Sequence, residues 1–330
     1  MIGEIQVFER PTTETLNPRG YLLANPDLRK ALGDDEARAQ HHFCEYGFKE
    51  NFRRQLSSAF LSSQREKFLR FKTTLPECDA EAFPLQFGRF CHNISEYEIE
   101  SSNGPPDYWS SELQTNPNKL YADIGAGLRT SVWPNCVYVE VYPSLTSDIL
   151  VEPNCKLPFK DASLDGIGCF AVLEHVDKPW EMAHEFARVV KPGGKIFIDW
   201  PFLQPVHGYP SHYYNATREG LRFLFADNFE VRELYTGPWQ GPDFTVSWIL
   251  NRLLSTIKDE DVRRRFSEMT IGDLCSQPCS PLNEGELWRT ILGTLDDSDV
   301  SVLSCGNTLV ATRKYAGQSF THGVVGINAD

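Results

Sequence analysis

The chain has 330 residues, and its 45 acidic and 32 basic side chains give a formal net charge of −13. This length is enough to bury a sizeable core in one to three domains, and the 41% hydrophobic content excludes wholesale disorder. The acidity argues against a protein that holds nucleic acid or anionic lipid mainly by charge, because both kinds of binding need a basic surface.

The lack of a recognisable targeting signal and the cysteine usage predict a cytoplasmic protein. The first residues lack the basic start and apolar run of a secretory signal, and no stretch approaches the roughly 18 apolar residues of a membrane span. The nine cysteines are an odd number, and several lie in apolar segments, where a reduced cysteine acts as a small hydrophobe. Cys275 and Cys279 lack a second Cys/His pair at zinc spacing, so we expect no metal site.

Three segments follow one another along the chain. We expect a helical module, a helix with a linker, and an α/β domain, over residues 1–55, 56–118 and 119–330. In the module, Asn25-Pro26-Asp27 predicts one helix start, and Asp34-Asp35 can cap the next helix. Prolines and glycines are typical of a linker after a helix near 62–72. A helical insertion at about 240–300 precedes the last strand.

Short apolar runs alternate with helical periodicity from residue 119 onwards. The strand candidates are 120–124, 137–141, 166–170, 195–200, 229–235 and 308–314. A helix that begins near Pro179 places Trp180 and Phe186 on one apolar face, so we expect both in the core. Strands that alternate with helices predict an α/β fold with a parallel sheet.

The junction Gly125-Ala126-Gly127 after the first of these strands is the strongest single clue. The dinucleotide-binding motif Gly-x-Gly-x-x-Gly requires a third glycine, which this chain lacks, and the charge of Asp123 would oppose a pyrophosphate. A cationic ligand such as S-adenosylmethionine tolerates that carboxylate, and the glycines allow the backbone to approach it closely. Glu140, at the end of the next strand, can accept hydrogen bonds from both ribose hydroxyls. A plain tight turn is the remaining interpretation.

Six pieces of sequence carry a resemblance to a known family. They are Ala122-Asp-Ile-Gly-Ala-Gly127, Val139-Glu140-Val141, Leu157-Pro-Phe-Lys-Asp-Ala-Ser-Leu-Asp165, Ala171-Val-Leu-Glu-His-Val176, Arg188-Val-Val-Lys-Pro-Gly-Gly194 and Asp199-Trp-Pro-Phe202. In this order they resemble the core of class I S-adenosylmethionine-dependent methyltransferases. The resemblance implies a Rossmann-like sheet, mostly parallel with an antiparallel last strand. Residues 21–50 resemble a helical module found beside enzymes of surface-polysaccharide synthesis.

The resemblance also implies roles for individual residues. The implied cofactor-binding set is Asp123, Gly125, Gly127, Glu140, Asn154, Leu157, Ala171 and Glu174. The first three would line the methionine half, Glu140 would bind the ribose, and the segment that starts at Ala171 would face the sulfonium. Relatives often carry Asp four residues before Leu157, and this chain has Pro153 there, which leaves Glu152 or Asn154 as substitutes near the adenine.

The connection after the glycine turn is short. Only ten residues, 128–137, separate Gly127 from Tyr138, and a full crossover helix does not fit in them. The site is then more open, or the N-terminal region supplies the missing wall, or cofactor binding is lost.

Methyl transfer to a hydroxyl also requires removal of its proton, for which histidine is the usual agent near neutral pH. The candidates are His175, His207 and His212. The last two follow the strand that ends near Trp200, at the carboxyl edge where α/β proteins bind ligands. The plain alternatives are that His175 caps the next helix and that the loop histidines only pack.

We therefore expect a methyltransferase that acts on a small-molecule or glycan-type acceptor. A non-catalytic scaffold or binding protein of this fold in a glycan assembly system is the first alternative, favoured by Pro153 and the short connection. An RNA or protein methyltransferase is the second, and the charge disfavours it. The apolar face that includes Phe244 and Trp248 would pack on the sheet, roof the acceptor pocket or form a homodimer contact.

Overall fold

A computed structural model provides the three-dimensional structure. It describes residues 3–71, 73–74, 85–86, 104–142, 144–153, 155–205, 207, 212–256, 260, 264, 267 and 306–313. Residues 257–300 of the expected helical insertion lie outside this description, apart from 260, 264 and 267. Across the described residues, none of the helices has the length and apolar character needed to cross a membrane.

The strands and helices alternate through most of the described chain. The strands are β1 Ile5–Gln6, β2 Phe8–Glu9, β3 Gln55–Leu56, β4 Leu85–Gln86, β5 Tyr121–Ile124, β6 Ser131–Val132, β7 Cys136–Glu140, β8 Ile149–Leu150, β9 Leu164–Phe170, β10 Val190–Pro201, β11 Phe229–Tyr235 and β12 Gly306–Arg313. The helices are α1 Pro18–Ala24, α2 Pro26–Leu32, α3 Glu36–Glu45, α4 Ser58–Arg70, α5 Asp107–Thr115, α6 Pro179–Val189, α7 Arg218–Ala226 and α8 Pro242–Thr256.

The central sheet has the strand order β11-β12-β10-β9-β5-β7-β8-β4. All pairs from β10 to β4 are parallel, and β12 runs antiparallel to both of its neighbours. This arrangement confirms the predicted Rossmann-like fold with an antiparallel last strand. Because β5, β7, β9 and β10 are parallel, their carboxyl ends lie at one edge of the sheet, and the candidate site residues follow these ends.

The predicted helix starts in the N-terminal module are confirmed. The helix α2 begins at Pro26, and the Asp35 side chain caps α3 by accepting a hydrogen bond from the Arg38 amide. Helix α5 was not predicted, because its segment follows Pro105-Pro106 and resembles a linker. Proline also suits the start of a helix, and α5 buries Trp109 and Leu113 on one face.

The N-terminal segment packs against the short connection between β5 and β7. Strand β1 pairs antiparallel with β6, and the Val7 amide donates to the Thr130 carbonyl at 3.0 Å. Apolar side chains from the module, α5 and the sheet form one cluster, which includes Val7, Leu56, Phe60, Trp109, Leu113, Tyr121, Val132 and Phe197. The module therefore covers the face of the sheet on which a first crossover helix is missing.

The opposite face of the sheet is covered by α6 and α7. Phe186 and Phe225 are buried there with their rings stacked, as expected for Phe186. The expectation of a buried Trp180 is wrong, since 48% of this residue is exposed. Trp180 lies in the first turn of α6 and contacts the ring of Tyr214 at the sheet edge.

Candidate active site

The glycine turn after β5 has the backbone that requires glycine. Gly125 and Gly127 have φ values of +69° and +63°, in the left-handed region. A Cβ atom on Gly125 would lie 2.2 Å from Cγ2 of Val172, which follows β9. Ala171, just before Val172, also has a positive φ of 53°, which is uncommon for a residue with a side chain. Positive φ values thus occur on both sides of the place where the ends of β5 and β9 meet.

Glu140 lies at the end of β7 and faces the glycine turn. Its Oε1 accepts a hydrogen bond from the Gly127 amide at 2.8 Å, and its Oε2 accepts from the Val141 amide at 2.9 Å. These two bonds fix the orientation of the carboxylate beside the glycine turn. The side chain is held where the sequence predicts a ribose.

Asp123, on β5, forms a buried ion pair with Arg129. Its Oδ2 lies 2.8 Å from Nη2 of Arg129, and both side chains are buried. Burial raises the pKa of Asp123, and the guanidinium opposes that rise. Its Oδ1 has no hydrogen-bond partner among the residues that the structure describes. Arg129 was not singled out from the sequence, although an Arg that follows an acidic strand residue just beyond a glycine turn is a usable signal.

The predicted adenine side is only partly described. The Leu157 side chain is buried in the core beside the sheet, and its amide donates to Oε1 of Glu185 at 2.8 Å. Asn154 lies outside the described residues. Its expected role, and that of Leu157, therefore stay predictions.

The three candidate histidines lie together. His175 ends a short 3-10 turn after β9, and His207 and His212 belong to the loop after β10. Their ring centroids are 5.5 Å apart for His175 and His207, 5.7 Å for His175 and His212, and 4.6 Å for His207 and His212. The Tyr213 amide donates to the Glu174 carbonyl at 2.6 Å, which ties the loop to the turn. The cluster thus forms from segments that are distant in sequence.

Hydrogen bonds define the tautomers of two of these rings. Nδ1 of His207 lies 2.9 Å from the Pro205 carbonyl, which can only accept, so Nδ1 carries the proton and Nε2 has the lone pair. Nε2 of His212 lies 2.6 Å from Oδ1 of Asn215, and its Nδ1 lies 3.3 Å from the His207 amide. Both ring nitrogens of His212 are thus engaged. Burial lowers the pKa of His207.

Glu174 places a carboxylate beside these rings. Its side chain is fully buried, and neither carboxylate oxygen has a hydrogen-bond partner within the described chain. Oε1 lies 3.8 Å from Nε2 of His175 and 3.9 Å from Nε2 of His207. Burial raises the pKa of this carboxyl to about 8. The sequence placed Glu174 among the cofactor ligands, and the structure adds its contact with the histidines.

Trp248 lies over the same cluster. Its ring centroid is 5.2 Å from that of His207, and Trp248 belongs to α8, whose apolar face had three candidate roles. At this residue the helix lies against the histidines, and the role of its apolar face stays a prediction.

A second buried acid lies on β10 and was not identified as a site residue from the sequence. Oδ1 of Asp199 accepts hydrogen bonds from the Tyr108 hydroxyl at 2.7 Å and the Thr308 hydroxyl at 2.6 Å. Burial raises the pKa of Asp199 to about 6. An acid within the apolar run Ile196–Trp200 is the signal that could have identified it.

The centre of the chain matches a family of known proteins. Residues 122–198 match the family described as "Methyltransferase domain", which covers β5 to β10 and the candidate site between them. A Mycobacterium tuberculosis protein described as "Uncharacterized methyltransferase" is 38% identical over 72 residues, which is 21% of this chain and 28% of that protein. A Mycobacterium leprae methyltransferase is 35% identical over 72 residues, which is 21% of this chain and 27% of that protein.

Two solved structures to which the chain is similar have low sequence identity to it. A Haemonchus contortus phosphoethanolamine N-methyltransferase 2, solved with phosphomonomethylethanolamine and S-adenosylhomocysteine, has a TM-score of 0.34 at 17% identity, covering 65% of this chain and 54% of that chain. The YcgJ protein of Bacillus subtilis has a TM-score of 0.36 at 15% identity, covering 63% of this chain and 98% of that chain.

Proposed function

We propose that this chain is an S-adenosylmethionine-dependent methyltransferase for a small-molecule or glycan-type acceptor. The observation that carries the proposal is the match of residues 122–198 to the methyltransferase family, because this segment contains the glycine turn, Glu140 and the Ala171–His175 segment. All three follow carboxyl ends of parallel strands, where α/β proteins bind their ligands.

The cofactor side is formed by the glycine turn and Glu140. Gly125 and Gly127 have no side chain to block the methionine half, and the Glu140 carboxylate, held beside Gly127, is the acceptor we assign to the ribose hydroxyls. Oδ1 of Asp123 is an orphaned acceptor beside the turn, and Ala171 brings the end of β9 close to it. These features fit S-adenosylmethionine, which when bound supplies a methyl group on a positively charged sulfur.

The acceptor side is formed by the histidine cluster with Glu174. A hydroxyl acceptor that lies there can transfer its proton to an imidazole as the new bond to the methyl carbon forms. His175 and His207 are the residues we assign to this step, because their Nε2 atoms lie near the Glu174 carboxylate. His212 instead positions the His207 backbone.

Calorimetric titration with S-adenosylmethionine tests the cofactor side. Glu140→Ala removes the proposed ribose acceptor, so we expect at least about tenfold weaker binding, since a hydrogen bond to a charged group contributes about 1.5–3 kcal/mol. Glu219→Ala, at an exposed acid in α7, is the matched control and leaves affinity unchanged. Equal affinity of Glu140→Ala and the unmodified chain would show that the ribose site is misplaced.

A non-catalytic binding protein of the same fold is the second candidate. The Arg129–Asp123 ion pair favours it, because the guanidinium lies buried directly after the glycine turn. A folded protein that binds a glycan but shows no heat of S-adenosylmethionine binding would favour this candidate over the methyltransferase.

A further inference from the structure

Glu174, His175 and His207 bring three metal-ligand atoms together at the edge of the sheet. A carboxylate oxygen and two imidazole nitrogens all lie within 4.8 Å of one another. They come from the turn after β9 and the loop after β10, which the Tyr213–Glu174 backbone hydrogen bond joins. The described part of the chain contains no other such group of three.

The carboxylate of Glu174 is the first sign that a cation belongs there. Glu174 is fully buried, and its two oxygens have no hydrogen-bond donor among the described residues. A buried carboxylate without a partner is costly, and proteins relieve that cost by pairing the charge or coordinating a metal. No Lys or Arg side chain forms an ion pair with Glu174 in this part of the structure, where its two neighbours within ion-pair distance are His175 and His207.

The tautomer of His207 is the second sign and is independent of the first. Its Nδ1–H donates to the Pro205 carbonyl, so the lone pair of Nε2 points away from that bond. A backbone carbonyl on the other ring nitrogen is the arrangement that orients histidine ligands in metal sites. Nδ1 of His212 accepts a hydrogen bond from the His207 amide, so a contact outside the ligand set holds the His207 backbone.

The distances are close to those of a site for a small divalent ion. Bonds of about 2.0–2.1 Å in a tetrahedral site place ligand atoms about 3.4 Å apart. The observed separations from Oε1 of Glu174 are 3.8 Å to Nε2 of His175 and 3.9 Å to Nε2 of His207, and all three ligand atoms lie within 4.8 Å of one another, which is wider than the ideal spacing. Two imidazoles with one carboxylate favour zinc or another late first-row metal over magnesium or calcium.

We propose that Glu174, His175 and His207 bind a divalent first-row transition-metal ion. Three protein ligands leave a coordination position open, as in catalytic rather than structural metal sites. If the chain is a methyltransferase, that position is available to the acceptor hydroxyl, whose pKa the ion would lower, and the ion would then replace proton uptake by the two imidazoles as the means of activating the acceptor. Only this consequence depends on the proposed function. Metal binding itself does not.

The test is titration of the metal-free full chain with Zn²⁺ by calorimetry and with Co²⁺ by visible absorption, both without S-adenosylmethionine. We expect one equivalent to bind, with cobalt bands of a nitrogen and oxygen environment. Glu174→Gln and His207→Ala, each checked for folding by circular dichroism, should weaken binding at least about 100-fold, because loss of outer contacts alone costs 10–100-fold.

The control variant is His184→Ala, which removes an exposed histidine of α6 outside the cluster and should bind as the unmodified chain does. Absence of binding to the unmodified chain, or equal binding by folded Glu174→Gln, would overturn the proposal. A sulfur-to-cobalt charge-transfer band would also overturn it, because the ion would then be held by cysteine. Loss of S-adenosylmethionine binding with intact metal binding would contradict only the methyltransferase proposal.

Discussion

At the scale of single residues, the site depends on backbone conformations that most side chains avoid. Gly125, Gly127 and Ala171 all have positive φ, and all three lie where β5 and β9 end. Such strain persists only where the surrounding structure enforces it, and it clusters at functional sites. Val172 enforces it here, because its side chain fills the space beside Gly125.

Gly125→Ala should therefore destabilise the protein for two separable reasons. The left-handed backbone costs about 1–2 kcal/mol for any residue with a Cβ, and the overlap with Val172 adds about 1–3 kcal/mol. Gly33→Ala is the matched control, since Gly33 also has a φ of +69° but no atom within 4 Å of the place that a Cβ would occupy. Urea unfolding should show a larger loss for Gly125→Ala than for Gly33→Ala. Val172→Ala in the Gly125→Ala background should remove the steric part of this loss. Equal losses for Gly125→Ala and Gly33→Ala would refute the steric contribution.

Asp199 should make stability depend on pH. Burial raises its pKa to about 6, above the ordinary value near 3.9, so the folded state favours the protonated form. Its contribution is therefore fully present below about pH 4 and is lost as the pH rises through 6. The free energy of unfolding, relative to Asp199→Asn, should fall by about 1–3 kcal/mol between pH 4 and 7. Parallel pH profiles for the two proteins would contradict this.

The sequence named the residues on both sides of the site but predicted a close approach only on the cofactor side, and the reason is locality. Gly125, Gly127 and Glu140 lie on neighbouring strands, so their proximity follows from the strand order alone. Glu174 meets His207 only because a loop folds back, and a search for paired Cys and His spacing along the chain cannot detect such a site.

At the scale of elements, the N-terminal segment packs on the short connection after β5. The sequence left open whether the site is more open, whether the N-terminal region supplies the missing wall, or whether cofactor binding is lost. In the structure, strand β6 of this connection pairs with β1 of the N-terminal segment. The pairing could not be predicted, because two-residue strands carry no periodicity. Helix α5 was not predicted for a related reason, since the prolines that precede it are equally typical of a linker and of a helix start.

A buried ion pair fastens α4 to the sheet. Nζ of Lys67 lies 3.1 Å from Oδ2 of Asp148, both side chains are buried, and the ammonium also lies over the Tyr138 ring. Removal of one partner leaves the other charge buried, so Lys67→Met should lower the free energy of unfolding by about 3–5 kcal/mol. Chemical denaturation measures this loss.

The second variant of this pair separates charge from packing. Lys67→Met combined with Asp148→Asn removes both charges and should recover part of the stability. Lys178→Met breaks an exposed ion pair with Glu181 and should change stability little, which makes it the control. A double variant no more stable than Lys67→Met would show that the ion pair is not the cause.

At the scale of the whole molecule, the three predicted segments share one core. The cluster with Val7, Phe60, Trp109 and Tyr121 joins the N-terminal module, the expected linker and the sheet. The boundaries at 55 and 118 stay predictions, because an apolar cluster can join separate domains as well as one. The net charge of −13 is compatible with a ligand that carries a positive sulfonium, and it does not identify the acceptor.

The central claim is that the carboxyl edge between β5, β7 and β9 binds S-adenosylmethionine. Calorimetric titration of the folded full chain with this compound tests the claim most directly. We expect saturable binding with one ligand per chain, and competition by S-adenosylhomocysteine. A folded sample that shows no binding at millimolar S-adenosylmethionine would contradict the account.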